Sequence, residues 1–439
     1  MSPKLQKGDR KLLTAWAFYD WANSVYSLVI ASAVFPIFYS ALFSGRGNSY
    51  ISLFGSDVKG TALISFVTAF AFMVVAFISP LLSGIADYSG NKKIFLKLFC
   101  YIGALSCIGL YWFSLKDIYC SLVCYFFGLV GFWGSLVFYN SYLPDIAFPD
   151  QQDAVSAKGY SLGYIGSVIL LVVNLAMVMF PNSFGITNDG EPAEVKAMRY
   201  SFISVGVWWI LFSQYTYYYL PKGNKQGEKV TRDVILNGFR ELRKVWKQLT
   251  LNTTLKRYLA AFFVYSMAVQ TVMLVATYFG AEEIAWGEGS AKQMGLIVSI
   301  LLIQLVAVAG AVITSKLSQK YGNIKTLIGI NIIWAAICVA AFFITLPVHF
   351  YVTAGFVGLV MGGIQSLSRS TYSKMLPQTQ DTASFFSFYD VTEKIGIVIG
   401  MILYGAIDQY FGSMRYSVVF LTVFFLAGVV LLARVLKKH

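Results

Sequence analysis

Residues 83–93 read SGIADYSGNKK and residues 315–325 read SKLSQKYGNIK, so Gly90 lies opposite Gly322 at an offset of 232. A second pair, FYNSYLP at 138–144 and TYSKMLP at 371–377, sets Pro144 opposite Pro377 at an offset of 233. Two independent landmarks agreeing to one residue describe a chain built from two parallel copies of one unit. Each landmark lies at the end of a long charge-poor run, and that placement decides the fold class.

Such runs fall at roughly 13–43, 61–83, 94–114, 118–143, 159–181 and 199–220, then at 258–280, 293–314, 326–346, 350–372, 384–407 and 416–436. At 1.5 Å per residue, about 20 residues cross a hydrocarbon core of ~30 Å. The expected fold is therefore an all-α membrane protein with twelve transmembrane helices in two six-helix parallel repeats. The expected divisions are an N-terminal half at 1–220, a cytoplasmic amphipathic linker at 221–257 and a C-terminal half at 258–439. Composition agrees. The 439 residues are 57% hydrophobic and 13% charged, where a soluble domain has about 25% charged residues.

The net charge of +13 is a matter of sidedness. With the N-terminus inside, 25 of the 34 Lys and Arg fall in cytoplasmic segments and seven in outer ones, with Arg369 and Lys394 left inside helices. That bias predicts a multi-pass protein of the cell (inner) membrane with both termini cytoplasmic. It makes the bilayer, and not a nucleic acid, the expected partner. Two histidines, and five cysteines all set in apolar runs, offer no metal site and call for no cofactor. No G-x-x-x-x-G-K-(S/T) loop and no clustered nucleophile and base are present, which argues against ATP hydrolysis and against an enzyme.

The linker contains VTRDVILNGFRELRKVWKQL at 230–249, with Ile235, Phe239, Leu242, Trp246 and Leu249 at helical spacing and basic residues between them. Thr231 suits its N-cap and Asp233 its first turn. Either the helix lies at the inner membrane surface, or it is a solvated linker with an apolar stripe on the protein.

Gly84, Asp87, Gly90, Lys92 and Lys93 resemble the signature loop G-x-x-x-D-x-x-G-x-(K/R)-(K/R) of the major facilitator superfamily. The second copy keeps Gly322 but has Gln319 where the acid would stand. The resemblance implies that Asp87 sits on the start of the eleventh span, near Ser384, and that this loop gates the inner side. FYDWANSVYSLVI at 18–30, FYNSYLPDIA at 138–147, SAKGYSLGYIGSVILL at 156–171, GGIQSLSRSTYSKMLP at 362–377 and ASFFSFYDVTEK at 383–394 are similar to a narrower group. This is the family of major facilitators related to the autophagy-associated vacuolar amino-acid effluxer, which has many bacterial members. That similarity implies a transporter of small polar solutes, with amino acids favoured. The two parallel halves suggest a secondary transporter working by alternating access, and an unpaired buried carboxylate suits coupling to protons or another ion. A sugar or organic acid is the alternative cargo, and a transport-inactive sensor or scaffold the alternative class.

Charges inside a span are costly and mark candidate sites on any reading. Asp20 lies about seven residues, roughly 10 Å, into the first span. It is either a proton or cation acceptor or an anchor paired with a basic neighbour. Asn23, Tyr26, Tyr139, Asn140, Gln270, Gln304 and Gln365 are the other candidate substrate contacts, and each also suits a helix-to-helix hydrogen bond. Asp390 and Lys394 are spaced as an i, i+4 ion pair. That leaves Glu393 without a local partner and, with Asp20 and Lys394, a candidate for coupling. Arg369, near the inner end of the tenth span, either snorkels to the interface or pairs in an inner gate. Gly159-x-x-x-Gly163, Gly358-x-x-x-Gly362 and Gly396-x-x-x-Gly400 read as close helix contacts.

Overall fold

The computed structural model describes residues 5–43, 50–53, 55–188, 190–221, 232–287 and 291–436. Helix α1 (Arg10–Val25) runs through a π-helical stretch, Tyr26–Val34, into α2 (Phe35–Ala41). A small antiparallel hairpin, β1 (Tyr50–Leu53) with β2 (Ser56–Lys59), was not anticipated; it pairs Tyr50 with Lys59. Then come α3 (Gly60–Ser89), α4 (Lys92–Gly109), α5 (Ile118–Asn140), the short α6 (Leu143–Ile146), α7 (Gln152–Met179) and α8 (Ala193–Tyr219). The linker helix α9 (Arg232–Leu251) precedes α10 (Thr253–Glu283), α11 (Ala291–Tyr321), α12 (Asn323–Phe343), α13 (Pro347–Met375), α14 (Thr382–Phe411) and α15 (Met414–Leu436).

Among the described residues, ten helical segments are long and apolar enough to cross a bilayer. Helices α8 and α14 have the length, 27 and 30 residues, but are more polar. Helix α14 alone carries Asp390, Glu393, Lys394 and Asp408.

The core divides into two clusters. One gathers side chains from Leu12 to Leu220 together with Ala383. The other gathers side chains from Val245 to Val435 together with Tyr164. Ala383 and Tyr164 are thus each packed in the opposite cluster, and both belong to contacts described below. Between helices the approach is close. A Cβ on Gly358 or Gly362 would run into the backbone of Ile303 or Ala307 on α11. Lipid tails are as apolar as leucine, so helix association in a bilayer rests on such tight packing rather than on burial from water.

One face of the bundle, here the linker face, is tied by long-range bonds to carbonyl ends. The Gly8 amide donates to Ile146 O at 2.7 Å, Lys93 to Leu220 O at 2.7 Å and Arg257 to Arg434 O at 3.3 Å. The repeated turns at this face need glycine, because Gly90 and Gly322 have φ of 65° and 86°, a region that side-chain-bearing residues avoid.

At the opposite face each half carries an arginine staple that the sequence reading missed. Arg199, early in α8, donates to Tyr111 O and Phe113 O at 2.7 and 2.8 Å and pairs with Glu191. Arg415, at the start of α15, donates to Phe342 O at 2.7 Å and pairs with Glu283. Each satisfies carbonyls that a helix end leaves without partners.

For the linker, the expected cap Thr231 lies outside the described residues, as do the side chains of Asp233, Ile235 and Phe239. Further along α9, Val245 and Leu249 are buried in the second cluster. Arg240, Arg243 and Lys247 are exposed. Lys244 bonds Asp381 at 3.1 Å, and the Trp246 ring lies 5.4 Å from that of Phe388. Val245 and Leu249 thus pack on the protein, while Trp246 stays 54% exposed.

Candidate functional site

Arg369 does not snorkel. It is 2% exposed and sits between α1, α5, α7 and α13. A guanidinium has five N–H groups, and five hydrogen bonds leave this one. Nε donates to Ser156 Oγ at 2.9 Å, Nη1 to Asp20 Oδ2 and Asn140 Oδ1 at 3.2 Å each, and Nη2 to Asp20 Oδ2 at 3.2 Å and Ser156 O at 3.0 Å. Asp20 Oδ2 also accepts the Tyr139 hydroxyl at 2.9 Å. The guanidinium lies 4.8 Å from the Trp16 ring centre and 4.2 Å from that of Tyr160, inside cation–π range. Asp20 and Arg369 therefore resolve one another: the acid is paired with a base, and that base comes from the other half of the chain.

Glycine makes room for this. A Cβ on Gly159 would stand 2.5 Å from Asp20 Oδ2 and 3.1 Å from Arg369 Nη2. On Gly163 it would meet Ser24 and the Asp20 carbonyl. The small residues on α7 thus serve the ion pair as well as helix contact. The π-helical stretch begins at Tyr26, six residues beyond Asp20, and such wide turns often mark functional positions.

A second charged cluster sits on α14. Lys394, 1% exposed, bonds Asp390 Oδ1 at 2.7 Å and reaches Glu393 Oε2 at 3.5 Å. It also sits 3.8 Å from the ring centre of Trp133 on α5. Glu393 accepts the Gln270 side-chain amide at 2.7 Å. The expectation that Glu393 lacks a local partner does not hold, since Lys394 next to it on α14 lies within ion-pair range, and Gln270 adds a further partner from α10. Asp390 Oδ2, Asn23 Nδ2 and Ser266 Oγ are buried without hydrogen-bond partners among the described residues.

Tyr160 lies against Arg369, its ring centre 4.2 Å from the guanidinium, and its ring centre is 6.1 Å from that of Tyr164 on the next turn of α7. Around it the Tyr164 hydroxyl donates to Gln365 Oε1 at 2.6 Å, Tyr258 to Ser368 O at 2.9 Å, and the Tyr265 and Ser368 hydroxyls meet at 2.8 Å. Of the candidates, Asp20, Tyr139, Asn140 and Arg369 come together in one cluster and Gln270, Glu393 and Lys394 in the other, while Gln365 bonds Tyr164 and the sulfur of Met273. Tyr26 packs instead on Phe132, ring centres 4.9 Å apart, in the first core. Gln304 is half-buried on α11, away from both clusters in its side-chain bonding. Ser156, Tyr160, Tyr164 and Trp133 were not singled out, although the first three stand in the quoted 156–171 stretch.

The linker face is sealed between the halves. Asp87 accepts the backbone N–H groups of Ala383 and Ser384 at 3.1 and 2.7 Å, placing a carboxylate on the positive end of α14. Gly84 is buried one turn before it. Lys92 bonds Asp145 at 2.6 Å and reaches the Thr382 hydroxyl across the same joint.

Comparison with known proteins then decides the family. The family model described as "Vacuole effluxer Atg22 like" matches residues 8–439. The chain belongs to the Atg22-like family. It is 30% identical over 437 residues to the Bacillus subtilis protein named "Uncharacterized MFS-type transporter YxiO", covering 98% of this chain and 96% of that one. It is 23% identical to "Autophagy-related protein 22" of Vanderwaltozyma polyspora over 94% of this chain and 88% of the relative. Among solved structures it resembles the E. coli fucose:proton symporter FucP, with a TM-score of 0.67 at 14% identity over 97% of each chain. It also resembles the proton:xylose symporter XylE, with a TM-score of 0.68 at 11% identity over 97% and 95%. At such identities the likeness concerns the fold, which is that of the major facilitator superfamily. This Atg22-like chain is a multi-pass membrane transporter of that fold, not an enzyme.

Proposed function

We propose that this Atg22-like protein carries a small zwitterion, an amino acid, by proton-coupled alternating access between two rocking units, 1–220 and 258–439, joined by the linker at 221–257. The observation that carries the reading is the buried Asp20–Arg369 pair, formed across the halves, with a second charged cluster around Glu393 and Lys394 on α14. A substrate carboxylate competes with Asp20 for Arg369, and Glu393 takes the ammonium group. Displaced from its guanidinium in a buried setting, Asp20 takes up a proton, since a lone buried carboxylate is costly. Substrate and proton are thereby linked without a metal or cofactor.

The Lys and Arg bias supports a cytoplasmic linker face, and the bacterial relative supports the cell membrane as the location. Asp87, Lys92 and Lys93 then belong to an inner gate, closed in this conformation, with Gly90 and Gly322 shaping its turns. Charges of both signs at the site favour a zwitterion over a sugar.

The test is a panel of amino acids, sugars and organic acids offered to the purified protein in liposomes under an imposed pH gradient. Accumulation of an amino acid is expected. Transport of a sugar with no amino acid moved would reverse the assignment. Glu393→Gln is expected to raise KM for that amino acid about tenfold or more, by removing a charge-assisted contact worth ~1.5–3 kcal/mol. An unchanged KM would place the ammonium elsewhere.

A further inference from the structure

The repeat of the signature loop in the second half lacks its acid, since Gln319 occupies the position equivalent to Asp87. Gln319 is exposed, whereas Asp87 is buried. Yet a carboxylate does seal this second joint, and it comes from the other side. Asp153, in the first turn of α7, has a side chain only 2% exposed. It accepts Lys374 Nζ at 2.5 Å, Asn323 Nδ2 at 2.9 Å and Ser318 Oγ at 3.0 Å. These donors are the end of α13, the start of α12 and the end of α11, all in the C-terminal half. They are themselves tied together, because Asn323 bonds Thr371 at 3.0 Å and Lys374 bonds Asn323 at 3.2 Å.

We propose that Asp153 is the second latch of the linker-face gate, supplying from α7 the carboxylate that the second loop has lost; this rests on the alternating-access reading above. The two latches run in opposite senses. At the first joint the loop of one half gives the acid and a helix start of the other gives backbone donors. At the second joint the helix start gives the acid, and the loop and helix ends give side-chain donors, one of them a cation. A first-turn acid on α7 is favoured by its own helix dipole wherever it points. Here both oxygens are spent on the other half, which a local capping role does not require. Opening the linker face must break both latches, so loss of either shifts the conformational balance toward the open state.

The test is hydrogen exchange on the full-length protein in lipid nanodiscs, read at both faces. Asp153→Asn is expected to speed exchange about tenfold in segments 151–158 and 318–325, since bonds to a charged acceptor are lost. It is expected to slow exchange at the opposite face, in segments 110–116 and 341–346. The charge swap Asp153→Lys with Lys374→Asp keeps an ion pair at the joint and is expected to return both faces toward wild-type rates, which guards against a folding defect. Asp87→Asn reports on the two-state motion itself. If Asp87→Asn shifts the faces reciprocally while Asp153→Asn loosens only its own surroundings, Asp153 is structural and the inference is overturned. If neither variant gives a reciprocal change, the alternating-access reading fails, and the inference with it.

Discussion

Arg369→Gln is expected to abolish measurable transport and to lower the stability of the folded protein by about 3–5 kcal/mol, the cost of leaving the other member of a buried ion pair uncompensated. Glutamine cannot reproduce a planar five-donor group. Asp20, Asn140 and both Ser156 acceptors would lose partners together. The informative variant is the double one. In Asp20→Asn with Arg369→Gln no buried charge is left alone, so the pair should unfold at higher denaturant or temperature than Arg369→Gln by itself. A coupling of more than ~1.5 kcal/mol in the double-mutant cycle is expected, since contacting residues in one network are strongly non-additive. Additive losses would mean that the two side chains do not depend on one another.

The second large effect belongs to a residue with no side chain. Gly159→Ala should cut transport at least tenfold and cost ~1–3 kcal/mol, as overpacking in a close-packed interior does. The new carbon would land on Asp20 Oδ2, with Arg369 Nη2 and Tyr139 Oη at 3.1 and 3.2 Å also crowded. None of these atoms is the free end of a flexible chain, because each is held in the network it would have to leave. The same substitution at Gly329 or Gly355, where an added Cβ meets nothing within 4 Å, should leave transport unchanged. It should slightly favour the helix, as alanine does over glycine. Equal losses at all three sites would show that helix propensity, and not the space around the ion pair, decides the outcome.

What could be read from residues alone followed the range over which each signal acts. The turn at Gly90 and the docking of Asp87 near Ser384 were legible because a short loop pattern carries them, and positive φ explains why both copies keep the glycine. Asp20 and Arg369 were each found, since a charge inside a span is costly wherever it lies. Their pairing was not, because 349 positions of chain separate them and nothing local specifies which base meets which acid. Gln270, which meets Glu393, stands 123 positions away on α10, equally out of reach of local spacing. Gly159 and Gly163 were seen as a packing motif, but the carboxylate filling the space they leave becomes visible only when α1 and α7 are brought together. Asp153 gave no signal of its own: the loss of the acid at position 319 was apparent, its replacement from the other half was not.

The central claim is that substrate and Asp20 exchange places on Arg369, and that the proton follows from that exchange. The most direct measurement compares two assays of Asp20→Asn in proteoliposomes. A neutral side chain removes the competing charge but can still accept hydrogen bonds. Exchange of labelled amino acid across a membrane with substrate on both sides is therefore predicted to persist, while accumulation driven by a pH gradient is predicted to vanish. Accumulation at the wild-type level in Asp20→Asn would contradict the account, because it would show that the coupled proton is carried elsewhere.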